Sequence, residues 1–178
     1  MRVIAGEMRG RNLISPKGEA VRPTPDRARE ALFSILGDVE GLSVLDLFCG
    51  TGALAIEAIS RGAGEATLVD TDTAPARANV EALGLFDRVS LVEQEALGFL
   101  RIGDTRYGLI LCDPPYTIAP RVEPDLQELA PQRLAPGGRL VIESAARDAR
   151  PLQPPGLELE RERRYGSTLL RIWRAPSE

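Results

Sequence analysis

From residue 43 to residue 143 the chain alternates short apolar runs with helical stretches, and that rhythm restricts the fold more than any other feature. The spacing predicts strands over 43–48, 66–70, 89–93, 109–113 and 139–143, the last following a Pro136-Gly137-Gly138 turn. Helices are expected over 53–60, 73–83, 96–100 and 124–134. Apolar strands of this length separated by helices imply an α/β fold, a parallel sheet covered on both faces. Past Pro151, Pro154 and Pro155 the pattern changes. Residues 157–165 and 168–173 read as extended and, joined through Gly166, as an antiparallel hairpin closing one sheet edge.

Ahead of this core, residues 1–24 read as a separate arm and 25–178 as the main domain. Two short extended runs, 2–5 and 12–15, flank a Gly6 to Gly10 turn, so a small β-hairpin is expected with Arg9 and Arg11 near its tip. Pro16-Lys17-Gly18 closes it. Thr24 as N-cap, Pro25 at the first helical position and Asp26 in the first turn then start a helix. Ala28, Ala31, Leu32 and Ile35 share one of its faces, and Gly37 ends it. The overall charge of −4 hides an asymmetry. Residues 1–30 hold seven basic and four acidic residues, a net of +3, which leaves −7 for the remainder. Arg9, Arg11, Arg22 and Arg27 are therefore candidates for phosphate contacts, the plainer alternative being a solvated surface. The first 30 residues contain no aromatic side chain on which a base could stack.

Composition removes several chemistries. There are no histidines, which excludes a His-based triad and the usual zinc sites. The two cysteines, Cys49 and Cys112, fit a reducing compartment and form no metal-ligand spacing. No apolar run approaches the ~20 residues that span a bilayer. The N-terminus is polar by its second residue and lacks a signal-like apolar stretch, so a cytoplasmic protein is expected. Chemistry must run on carboxylates, backbone groups and a cofactor.

Two strand tips carry it. At 110–116 an apolar strand runs into Asp113-Pro114-Pro115-Tyr116. The prolines end the strand and remove two donors, so a carboxylate, a carbonyl and a ring face are held at one tip. That set suits a planar group bearing an NH2: two acceptors for two N–H bonds, and a ring to stack on. The plainer reading is a turn-forming Asp113 with Tyr116 lidding the core. The second tip, Asp46-Leu47-Phe48-Cys49-Gly50-Thr51-Gly52, follows the first strand and opens a helix. Its glycines let the backbone approach a ligand, and Asp70, ending the second strand, is placed to accept ribose hydroxyls. A nicotinamide cofactor or S-adenosylmethionine would fit these features. Asp46 favours the latter, because its carboxylate suits a ligand's ammonium group and would repel a pyrophosphate. For Asp46 and Asp70 the structural alternative is helix or turn capping.

With these segments in view, the chain resembles the RsmD-like 16S rRNA guanine-N2 methyltransferases over essentially its whole length. Arg2 to Gly6 with Arg9-Gly10-Arg11, Arg22 to Phe33, Asp46 to Gly52, Asp113 to Tyr116 and Arg164-Tyr165-Gly166 carry the resemblance. It implies a Rossmann-like class I methyltransferase domain with a seven-stranded, mostly parallel sheet, and S-adenosylmethionine as donor. The acceptor would be the N2 amine of a guanine in 16S rRNA, within a small-subunit particle or assembly intermediate, with the enzyme acting as a monomer. Carried over by position, Asp46, Phe48, Gly50 and Gly52 would line the methionine part of the cofactor. Asp70 with Thr71 would hold the ribose, and Glu95-Ala96 would flank the adenine, although similar enzymes often have Asp or Asn where Glu95 stands. Asp113, Pro114, Pro115 and Tyr116 would hold the target amine and its base. The readings left open are an amino-methyltransferase of adenine in DNA or of a protein glutamine, and a catalytically silent RNA-binding module.

Overall fold

A computed structural model describes residues 1–15 and 26–178. The elements run α1 (Asp26–Leu36), β1 (Ser43–Leu47), α2 (Ala53–Ser60), β2 (Glu65–Asp70), α3 (Ala74–Leu83), β3 (Val89–Glu93) and α4 (Ala96–Arg101). There follow β4 (Tyr107–Cys112), α5 (Ala119–Leu129), a 3-10 turn (Ala130–Arg133), β5 (Leu134–Ala145), β6 (Glu158–Tyr165) and β7 (Thr168–Arg174). The strands form one seven-stranded sheet in the order β3-β2-β1-β4-β5-β7-β6. β1 to β5 pair in parallel, whereas β7 joins β5 and β6 antiparallel. The expected sheet and closing hairpin are therefore present.

Because successive strand side chains face opposite ways, the central strands feed two cores. Val44, Leu109, Leu111 and Val141 pack on one face with Leu32 and Phe33 of α1 and Ile56 and Ile59 of α2. Leu45, Ile110, Leu140 and Ile142 pack on the other with Leu97 of α4 and Leu126 of α5. A one-residue slip would exchange the two sets, so the register is fixed by burial. Gly37, at φ 67°, ends α1, and its N–H bonds the Phe33 carbonyl. No helix among the described residues is long and apolar enough to cross a membrane.

The expected N-terminal hairpin forms, and two other expectations need correction. The arm pairs Arg2 with Asn12 in an antiparallel bridge, with the Val3 N–H donating to the Arg11 carbonyl at 2.9 Å and the Leu13 N–H to the Met1 carbonyl at 3.0 Å. Other arm amides tie it to α2: Ile4 and Ala5 N–H donate to the Glu57 carboxylate at 2.8 and 3.0 Å, and Met8 N–H donates to Ser60 Oγ at 3.0 Å. The helix expected over 124–134 is α5, which starts earlier and ends at Leu129. The Ile118 and Ala119 amides bond the Pro115 carbonyl, so the turn after Pro115 nucleates it, and Pro124 is tolerated inside. Pro131 disfavours continuation through Ala130. Lastly, Pro136-Gly137-Gly138 does not precede β5 but lies within it, at a register shift opposite Tyr107 and Leu109. The Thr24 cap, Pro25, the Pro16-Lys17-Gly18 turn, Arg22 and the boundary between 24 and 25 fall outside the described residues.

Candidate active site

β1 lies between β2 and β4, so the crossover through α2 leaves to one side and the crossover through α4 returns on the other. Ligands of open parallel sheets bind at such a reversal, beyond the carboxyl ends of the strands. Leu47 is level with Val69 of β2 and Cys112 of β4. Asp46, Asp70 and Asp113 therefore sit within two rungs of one another around that crevice.

Asp46 is the innermost, 1% exposed. One oxygen, Oδ2, accepts the Ala55 N–H at 3.1 Å in the first turn of α2. The other, Oδ1, is buried with no hydrogen-bond partner. Burial pushes the carboxyl up to about 8; the charges of Asp113 and Asp70 add to the rise, and the Ala55 N–H opposes it. A buried acid beside two others, with an unmatched oxygen, has the chemistry to accept a cationic group. Capping of α2 explains only half of this side chain.

The loop that follows is shaped around the crevice. Phe48 takes a left-handed conformation, φ 60°, costly for an aromatic residue and tolerated where surroundings impose it. Gly50 and Gly52 lie at φ 53° and 77°. A Cβ on Gly52 would stand 2.8 Å from Leu68 Cδ2, whereas one on Gly50 would meet nothing within 4 Å. The Gly50 side of the turn is therefore open for a ligand. Asp70 steadies it, with Oδ2 accepting the Gly50 N–H at 2.9 Å and Oδ1 lying 3.4 Å from the exposed Thr71 hydroxyl.

Glu95 does not end β3, which stops at Glu93. It is the N-cap of α4, its two oxygens accepting the Leu97 and Gly98 N–H groups at 3.1 and 2.7 Å. Ala96 is buried at the start of that helix. Burial pushes the Cys49 and Cys112 thiols far up, so neither offers a thiolate nucleophile.

Across the crevice, Pro114 is buried and Asp113 and Tyr116 are half-buried at the end of β4. The Tyr116 hydroxyl lies 3.3 Å from Thr168 Oγ1, and Thr168 in turn donates to the buried Glu143 at 3.5 Å. A cleft of about 90 Å³ opens beside the Tyr116 ring, lined also by Pro120, Glu123 and Ser144. A wider cleft of about 550 Å³ lies by the amino end of β4, away from the carboxylates. Its Arg133 guanidinium is occupied by the carbonyls of Thr105, Phe99 and Ile102. Arg9, Arg11 and Arg27 are exposed on the arm and α1, outside the crevice.

Sequence reasoning overlooked three buried polar residues that hold this region: Glu57, Asn79 and Thr168. Asn79 alone left a signal, an amide on the α3 stripe otherwise formed by Ala76 and Val80.

Comparison with known proteins gives a consistent result. The family described as conserved hypothetical protein 95 matches residues 1–174. Ribosomal RNA small subunit methyltransferase D of Escherichia coli (strain K12) is 32% identical over 182 residues, 100% of this chain and 91% of that protein. YlbH of Bacillus subtilis (strain 168) is 32% identical over 186 residues, 98% of each chain. The solved structure of yhhF from Escherichia coli superposes with a TM-score of 0.84 at 31% identity, covering 100% of this chain and 99% of that one.

Proposed function

The chain belongs to the family of ribosomal RNA small subunit methyltransferase D, and on that premise we propose that it transfers a methyl group from S-adenosylmethionine to the exocyclic N2 amine of a guanine in 16S rRNA. The observation that carries the reading is the buried, partnerless Oδ1 of Asp46 at the tip of β1, flanked by Asp70 and by the Asp113-Pro114-Pro115-Tyr116 turn.

S-adenosylmethionine, when bound, supplies an electrophilic methyl group on a sulfonium and carries an ammonium group. Asp46 would accept that ammonium, and the opening beside Gly50 leaves room for the ligand's backbone-hugging part. Asp70 and Thr71 would take the ribose. Ala96 would floor the adenine, with the Glu95 oxygens, already bonded to Leu97 and Gly98, at its edge.

A guanine amine is a poor nucleophile because its lone pair is delocalised into the ring. The Asp113 carboxylate and the Pro114 carbonyl would accept its two hydrogens, turning the lone pair out of conjugation and toward the donor. Asp113 would also stabilise the positive charge that develops on nitrogen. Tyr116 would stack on the base, and holding two reactants in line accounts for most of the acceleration. The amine is reachable only on an unpaired or flipped base, which favours a loop nucleotide. Arg9, Arg11 and Arg27, with Arg22, would contact phosphates.

The test is transfer of radiolabelled methyl from S-adenosylmethionine to small-subunit rRNA taken from cells lacking the gene, beside DNA and protein fractions, with the modified nucleotide identified by mass spectrometry. N2-methylguanine in the rRNA is expected. Label in DNA adenine or protein glutamine, or in no fraction, overturns the reading.

A further inference from the structure

Asn79 is 1% exposed on the inward stripe of α3, where an unsatisfied amide would cost far more than the alanine or valine beside it. It is fully engaged. Its Oδ1 accepts the Ile14 N–H at 2.6 Å, and its Nδ2 donates both to the Ile14 carbonyl and to the Thr51 carbonyl, each at 3.0 Å. An amide has two N–H donors, and here both are used.

The two segments it joins are the end of the basic arm and the middle of the cofactor turn. Thr51 lies between Gly50 and Gly52, both left-handed, so nothing in the local backbone preference fixes where its carbonyl points. Asp70 holds the Gly50 N–H from β2, and Asn79 holds the Thr51 carbonyl from α3. The arm meets the same helix again where the Arg11 guanidinium donates to the Ala82 carbonyl.

We propose that Asn79 is a positioning residue of the cofactor site: it sets the Gly50–Gly52 turn and, through Ile14, makes the arm part of the same rigid unit. This rests on the S-adenosylmethionine reading above. Filling the site then stiffens the arm, and losing the amide loosens the turn.

The test uses the whole purified chain and S-adenosylhomocysteine, with calorimetry for affinity and hydrogen exchange at the Ile14 amide. Asn79→Ala is expected to bind about tenfold more weakly, the effect of losing one well-made buried hydrogen bond. At saturating S-adenosylmethionine its kcat should stay within about threefold while KM rises, as for lost ground-state binding. Asn79→Ser, too short to reach either carbonyl, serves if the alanine variant does not fold. Leu36→Ala, a core truncation at the far end of α1, should lose stability without losing affinity. In the wild type and in Leu36→Ala, S-adenosylhomocysteine should slow exchange at Ile14; in the Asn79 variants it should not. Wild-type affinity in Asn79→Ala, equal weakening in Leu36→Ala, or an Ile14 amide indifferent to ligand would each overturn the proposal. If the wild type itself does not bind S-adenosylhomocysteine, the cofactor reading falls first and this one with it.

Discussion

The Asp46 carboxylate bonds the Ala55 amide through one oxygen at 3.1 Å and leaves the other buried with nothing to bond. A folded protein keeps such a group only at a cost, and the cost varies with pH. Burial raises this carboxyl from 3.8 to about 8, so between those values the folded chain holds a proton that the unfolded chain has released. Stability from this group is therefore lost as pH rises through that window. Asp46→Asn, which cannot ionise, should gain stability relative to wild type as pH goes from 5 to 9, on the order of 1–3 kcal/mol by urea titration. A difference that is flat with pH would show that Asp46 does not titrate there.

The same proton links to the ligand. A cationic group at Asp46 favours the ionised form, so binding should release a proton and tighten as pH rises toward about 8. Calorimetry of S-adenosylhomocysteine in buffers of different ionisation enthalpy reads the release directly. Binding heats that are independent of buffer at pH 7 would contradict it.

Asp113→Asn should lower methyl transfer by a factor on the order of 10² or more while the ligand still binds, since its work is done on the acceptor amine. It should also lower the Asp46 pKa, because it removes one of the two charges that help raise it. Near-normal turnover in the purified variant would refute the assigned role.

Tyr116 separates ring from hydroxyl. Tyr116→Phe keeps the stacking face and loses the long contact of the hydroxyl to Thr168, so a change of a few-fold in kcat/KM for RNA is expected. Tyr116→Ala loses the platform, worth about 1–3 kcal/mol per stacked base, and should fall by roughly ten- to a hundredfold. Equal losses in the two variants would mean that the hydroxyl, not the ring, matters.

Neutralising Arg9 and Arg11 to Gln should weaken RNA binding and flatten its dependence on salt. If both touch phosphates, the slope of log K against log salt should shrink by roughly 1.4–1.8. Filter binding across a salt series measures this, and an unchanged slope removes the arm from the interface.

Much of the fold was legible because the apolar strands of the parallel core have no other way to bury both faces. β1, β2 and β3 lie within a residue of their expected spans for that reason. The convergence of Asp46, Gly50, Gly52 and Asp70 at the tips of β1 and β2 was legible because strand order and the glycine turn leave them nowhere else to go. What escaped was decided by contacts remote in sequence. The arm's hairpin follows from the strand composition of Arg2–Ala5, but no local pattern announces that Glu57 and Ser60 will take its remaining amides. Pro124 looked like a helix start, yet the preceding Pro115 turn had already begun α5. That Glu95 caps α4, accepting its first free N–H groups, was also not read from the sequence.

Glu57 has a wider consequence. It is fully buried, and its carboxylate is neutralised by Arg29 of α1 at 3.6 Å, by Arg61 at 2.8 Å and by the arm's Ile4 and Ala5 amides. An arm transplanted from a distant relative would strand that charge unless its own backbone reached the same two oxygens. Chimeras that shuffle the front of this protein must therefore carry position 57 along with it, and a library that breaks the linkage should return insoluble clones rather than retargeted ones.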